Sequence, residues 1–244
     1  MRSISLFCLY IIINISSTNF VLAIDYEITQ SLKCMKVFAQ NEQTYAIPSD
    51  VLHSIAIKES GKLHGIYKVK IPWPWAVNVE GQSYYFNSKN EAIAFVKKQI
   101  SNGKASIDIG CMQINLKHHI DAFASLEHAF DPSINVAYGA KFLRAKFDQL
   151  QCWHKAIAYY HSATSDIGHN YKKDVIKIIK NMHHHKKILK KHIFDNHTQP
   201  QQCNDSTSIN QRDSSTKQDS VKIKLVNNSS FQNKMRSNIM IPIY

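Results

Sequence analysis

The sequence lacks a second long hydrophobic run. Its one extended apolar stretch lies at the N-terminus, which excludes a polytopic membrane protein. It has no CxxC pair, so neither a zinc ribbon nor a thioredoxin-like redox motif has a foundation. No internal repeat is visible. Acidic residues are few: 18 Asp and Glu stand against 30 Lys and Arg, for a formal net charge of +12. That imbalance points to an anionic partner, whether nucleic acid, a membrane surface or an acidic polymer. What is there belongs to a globular protein. The chain has 244 residues, 44% of them hydrophobic, which is enough to bury a sizeable core in one or two domains and excludes wholesale disorder.

Residues 1–23 carry Arg2, a short apolar run from Leu6 to Ile15, and Val21 and Ala23 at the −3 and −1 positions of a cleavage site. This is the pattern of a secretory signal peptide, and the run is short for a membrane anchor. Export to the periplasm or cell wall is expected, which argues against a nucleic-acid partner. Cys8 leaves with the signal. Cys34, Cys111, Cys152 and Cys203 remain, with three full pairings open. An oxidising compartment implies at least one disulfide.

The positive charge is not spread evenly. Residues 24–171 hold 15 basic and 13 acidic residues, whereas 172–192 hold eight Lys and one Asp. Val175, Ile176, Ile178, Ile179, Met182, Ile188 and Leu189 give the latter segment helical spacing. It is expected to be a helix with a solvated basic face, able to touch an anionic wall or membrane. His183, His184 and His185 cannot share one helical face and are read as incidental surface residues, not metal ligands. Residues 195–244, rich in Gln, Asn, Ser and Thr, are expected to be a disordered polar tail. The globular domain is thus assigned to 24–194.

Within it, 31–46 reads as a helix. Ser49 is expected to cap a second helix that presents Leu52, Ile55, Ala56 and Glu59 on one face and stops at Gly61. Trp73 to Phe86 alternates around Glu80-Gly81, a β-hairpin signal. Ser88 and Asp131, the latter followed by Pro132, are expected to cap two more helices. A short apolar helix covers 153–160. The fold class is mainly α (α+β), with one small hairpin. Glu59 is the anomaly: an acid on an apolar face at a helix C-terminus, where desolvation and the macrodipole both keep it protonated.

Four motifs follow in order: Glu59-Ser60, then Gly110-Cys111-Met112-Gln113-Ile114-Asn115, then Asn135 with Gly139, then Ala158-Tyr159-Tyr160-His161-Ser162. Together they resemble the soluble-type (SLT) lytic transglycosylase domain, related to goose-type lysozyme, over roughly 31–180. The strings PWPWAVNVEG, GCMQIN and YHSAT look like a branch common in α-proteobacteria. The resemblance implies a lysozyme-like domain with Glu59 as catalytic acid and base. It implies substrate-side roles for Ser60, Met112, Gln113, Asn115, Tyr160 and His161, and a packing or hydrogen-bonding role for Asn135. In that branch an early cysteine accompanies the GCMQ cysteine, which implies a Cys34–Cys111 disulfide. The departures are Cys111 in place of Leu and His161 in place of Asn.

The implied reaction cleaves the β-1,4 bond between N-acetylmuramic acid and N-acetylglucosamine, and the muramic 6-hydroxyl closes a 1,6-anhydro ring. An internal nucleophile makes a second carboxylate dispensable. Asp108 is the best candidate for a second acid, but turn capping before the GCMQ segment is the preferred reading of it. Trp73, Trp75, Tyr84 and Tyr85 are either sugar-stacking aromatics or hairpin packing. The alternatives are a hydrolytic lysozyme-type muramidase, a non-catalytic wall-binding protein of a secretion apparatus, and a basic antimicrobial or nucleic-acid binder. No metal or organic cofactor is implied, the partner is the peptidoglycan glycan strand, and a monomer is favoured.

Overall fold

The computed structural model describes residues 26–195; the expected signal peptide with Cys8 and the polar tail with Cys203 lie outside them. The first helix, α1, runs over 26–44 and buries Ile28, Ser31, Cys34 and Phe38, the i, i+3, i+4 spacing of one face. Next comes α2 (Val51–Ser60), in which every residue from Val51 to Ile57 is buried. A helix apolar on nearly all sides belongs in the centre of a domain, and α2 is packed there by other helices and by strands.

Ser49 does not cap α2. The N-cap is Asp50, held left-handed at φ 69° with no side-chain cap of its own. The cap comes from α1: the Glu42 carboxylate accepts bonds from Leu52 N at 2.9 Å and Asp50 N at 3.1 Å. A buried helix start must satisfy its free N–H groups from somewhere, and here the acceptor is remote in sequence.

Two small antiparallel sheets follow instead of a lone hairpin. Strands β1 (Gly61–Leu63) and β2 (Lys70–Pro72) form one; the other has the order β4-β3-β5-β6, from β3 (Ala76–Val79), β4 (Gln82–Tyr85), β5 (Ile107–Ile109) and β6 (Ile114–Asn115). The β3–β4 turn has Glu80 at φ 51° and Gly81 at φ 94°, the two left-handed residues that a tight hairpin turn requires. On β5 the side chains alternate: Ile107 and Ile109 enter the core and Asp108 faces the other way, across from Asn115.

Helix α3 (Lys89–Ser101) starts at Ser88, whose side chain accepts from Glu91 N, and α4 (Leu126–Ala129) is a single turn. Asp131 caps α5 (Pro132–Leu150) through Ser133 N and Ile134 N. After α6 (Trp153–His161), the 31-residue α7 (Ser165–Asp195) runs back along α2 and α6. Tyr171, Val175, Met182 and Leu189 are the buried apolar side chains among its described residues, and the Lys58–Asp174 pair ties it to α2. His185 is not incidental. Its ring meets the buried His53 edge-on at 5.6 Å, and its Nε2 lies 2.8 Å from Lys70 O. No described helix is long and apolar enough to cross a membrane.

Candidate active site

Glu59 stands in the last turn of α2, its side chain only 14% exposed, at the edge of a cleft of about 610 Å³. Burial pushes its carboxyl up to about 7, and the Asp108 carboxylate pushes the same way. The Tyr171 hydroxyl and the Lys58 ammonium pull it down but do not offset burial. The Tyr171 Oη finds no partner at full hydrogen-bond distance among the described residues and acts on Glu59 at longer range. His161 lies flat on the Tyr171 ring, 4.5 Å away, with Nδ1 3.8 Å from Glu59 Oε1. Burial and Lys58 lower the pKa of His161, so this contact joins a neutral imidazole to a carboxyl and is not an ion pair at neutral pH.

The cleft floor is the 110–113 segment, and four helices hold it. The Cys34–Cys111 disulfide ties it to α1. Ser60 Oγ donates to Cys111 O at 2.7 Å and accepts from Trp73 N, which ties it to α2. Asn135 on α5 is wholly buried; it accepts from Met112 N and donates to Ile109 O and Ala129 O. Tyr160 on α6 donates its hydroxyl to Met112 O at 2.9 Å. The approach is so close that a Cβ on Gly110, already left-handed at φ 79°, would sit 2.5 Å from the Asn135 amide. A Cβ on Gly139 would sit 2.9 Å from the Met112 side chain.

Two of the residues expected on the substrate side lie beneath the cleft surface. Ser60 and Met112 are fully buried and absent from the cleft lining, and they support the floor from below. Gln113, Asn115, Tyr160 and His161 do line the cleft with Glu59. Gln113 Nε2 is spent on Ala76 O and Gly110 O, which leaves its carbonyl free to accept. Asn115 donates to Asp108 Oδ1 at 2.8 Å. Asp108 caps no turn; it is a cleft residue on β5, its carboxyl pushed up first by burial and eased down by Asn115 and His118.

The hairpin aromatics, open in the sequence between sugar stacking and packing, are absent from the cleft lining. Trp73 and Trp75 are core residues at 0% and 4% exposure, with Nε1 donated to Phe86 O and Gln30 Oε1. Tyr84 packs on Phe95, and Tyr85 hydrogen-bonds Gly61 O. The aromatic wall consists of Phe142, Tyr159 and Tyr160, of which Tyr159 is 42% exposed. Sequence reasoning missed Phe142, Lys146, Tyr159 and Tyr171. A signal existed for two of them: Asn135, Gly139, Phe142 and Lys146 recur at steps of four, three and four, one face of α5. Among the described residues no group of three or more His, Cys, Asp or Glu is placed to hold a metal.

A mainly helical domain with a small antiparallel sheet, which holds a carboxyl of raised pKa at the edge of a cleft of about 610 Å³ at the end of its central helix, has lysozyme-like architecture. The chain belongs to the transglycosylase SLT domain family, whose model matches residues 36–183. That family comprises lytic transglycosylases, enzymes that act on peptidoglycan. Comparison with curated proteins and with solved structures gives no match.

Proposed function

We propose that the protein is a peptidoglycan lytic transglycosylase that cleaves the MurNAc–GlcNAc β-1,4 bond and leaves a 1,6-anhydromuramyl end. The observation that carries this reading is Glu59, protonated to about pH 7 at the edge of an aromatic-walled cleft. Such a group can act as acid and then as base near neutrality. Glu59 gives its proton to the glycosidic oxygen as the C1–O4 bond breaks, and the GlcNAc end departs with a new 4-hydroxyl. The 2-acetamido oxygen bonds to C1 in its place. The Glu59 carboxylate then takes the proton of the 6-hydroxyl, O6 attacks C1, and the acetamido oxygen is released. No water is consumed and Glu59 ends protonated, as it began.

A hydrolytic muramidase is the second reading, because Asp108 shares the cleft and raises the pKa of Glu59. Asn115 occupies one oxygen of Asp108, which favours a holding role over that of a base. Mass spectrometry of products from purified sacculi separates the two. Anhydromuropeptides, lighter by one water, support the transglycosylase; reducing muramyl ends refute it.

We also assign residues 1–23 to export, 24–194 to the catalytic domain and 195–244 to a polar tail, within the α-proteobacterial-like branch that carries GCMQIN. This places the enzyme in the periplasm or at the cell wall. On α7 the exposed Lys173, Lys177, Lys180, His184 and Lys187 recur at steps of four and three, one outward face. That face supports electrostatic contact with an anionic wall or membrane. Replacing those lysines by Gln is expected to weaken salt-sensitive binding to sacculi while turnover of soluble glycan fragments persists.

A further inference from the structure

One cation in the cleft has no part in this chemistry. Lys146 on α5 is half-buried, and its Nζ lies 5.0 Å from the centroid of the Phe142 ring. Lys58, Lys62, Lys97, Lys104 and Lys186 each meet a carboxylate, and Arg144, on the same helix, pairs with Asp148 at 2.7 Å. Lys146 meets none among the described residues. Nor does it serve the catalytic acid: the ammonium that acts on Glu59 is Lys58.

Lys146 sits among aromatic rings of the cleft lining. Phe142 stands between it and Tyr160, whose ring centroid is 5.5 Å from that of Phe142. His119, on the segment after β6, meets Phe142 edge-on at 4.8 Å, its Nδ1 2.9 Å from Tyr138 Oη. Burial, His118 and Lys146 hold the pKa of His119 down, so this neutral imidazole does not duplicate the charge. The cleft lining therefore carries Glu59 and Asp108 and, with them, an ammonium over an aromatic ring beside a neutral imidazole. A neutral glycan has nothing for that ammonium to meet. A muramyl residue has a lactyl ether at O3, and its carboxyl is either free or amidated to a peptide that bears carboxylates of its own.

We propose that Lys146, backed by His119, forms a carboxylate-binding subsite of the glycan cleft, which selects muramyl strands by the negative charge on the lactyl substituent. The proposal rests on the glycan-cleaving reading above, so its test is a binding measurement independent of turnover. The ligand is the disaccharide GlcNAc–MurNAc, which lacks the scissile MurNAc–GlcNAc bond. It is titrated calorimetrically as the free acid, as the lactyl methyl ester and as the lactyl-dipeptide, against the wild type, Lys146→Met and Lys146→Arg.

A charge-assisted contact predicts that the wild type binds the acid roughly 10-fold or more tightly than the ester, a margin that shrinks with salt. Lys146→Met, which keeps the stem over Phe142, loses that margin, and Lys146→Arg retains it. If the dipeptide binds best, the peptide carboxylate is the group recognised; if the free acid does, the lactyl carboxylate is. Equal affinity for acid and ester, or a margin that survives Lys146→Met, overturns the subsite. Turnover of glycan strands by the same wild-type preparation judges the other reading. Active enzyme without acid preference refutes the subsite alone, and acid preference without turnover refutes the reaction alone.

Discussion

The two ends of α2 each hold a buried glutamate, and they are treated in opposite ways. At the N-terminal end Glu42, 7% exposed, accepts two backbone N–H groups and faces the positive end of the helix. At the C-terminal end Glu59, 14% exposed, receives no backbone donor among the described residues and faces the negative end. Burial raises the pKa of both, but at Glu42 the two backbone bonds work against the shift, and only Glu59 is driven to about 7. A buried carboxyl is thus not a proton donor by virtue of burial. It becomes one where the fold withholds the hydrogen bonds that would stabilise its anion. One acid closes a helix, and the other is left uncompensated.

The largest expected break in this symmetry is Glu59→Gln. It keeps the shape and removes the proton, so turnover of purified peptidoglycan should fall about 10²–10⁴-fold. The same change should stabilise the fold. The folded pKa is raised from 4.5 to about 7, so Glu59 favours folding below the lower value and loses that contribution as pH rises through the upper one. The margin of Gln over Glu in thermal melts should therefore grow with pH, toward an order of 3 kcal/mol when Glu59 is fully ionised. A margin independent of pH would place Glu59 in a wetter setting than the structure gives it.

Glu42→Ala tests the other end. It strands Asp50 N and Leu52 N and should cost about 1–3 kcal/mol in denaturant unfolding, with activity per folded molecule retained. A smaller pair of changes moves Glu59 without touching it. Activity should decline above about pH 7, as the acid ionises. Asp108→Asn removes a like charge and should shift that limb to lower pH, whereas Lys58→Met removes an opposing one and should shift it higher. Limbs that move together would show that another group titrates there. The smallest effect belongs to Asp174→Asn, which breaks an exposed pair and should change stability by about 0–1 kcal/mol.

Where the deciding interaction is local, the sequence could be read. Ser88 and Asp131 cap the helices that follow them through bonds to residues two or three positions on, and such caps show in a short window. Ser49 misled because the acceptor that caps α2 is Glu42, on another helix. Strands β5 and β6, of three and two residues, are too short for alternation to register, so Asp108 read as a turn residue. Trp73 and Trp75 show the limit of composition: an aromatic residue near a hairpin is legible, but whether its face is wet depends on what the rest of the chain lays over it. Tyr171 was hidden because α7 drew attention for its charge, while its contribution to the site lies on the face turned inward.

The Cys34–Cys111 bond, with its 77-position separation, divides the molecule topologically. It closes a covalent ring that contains Glu59, all of α2 and strands β1 to β5, while Asn135, Tyr160 and Tyr171 belong to a segment outside the ring that is held against it by packing, hydrogen bonds and the Lys58–Asp174 pair, with no covalent cross-link among the described residues. A protease that nicks the ring leaves both pieces joined. A nick in the exposed Ala163–Thr164 turn severs α7 outright, and with it the inward-facing tyrosine beside the Glu59 carboxyl. Limited proteolysis with and without reductant should therefore show two kinds of scar, one that reduction reveals and one that it does not.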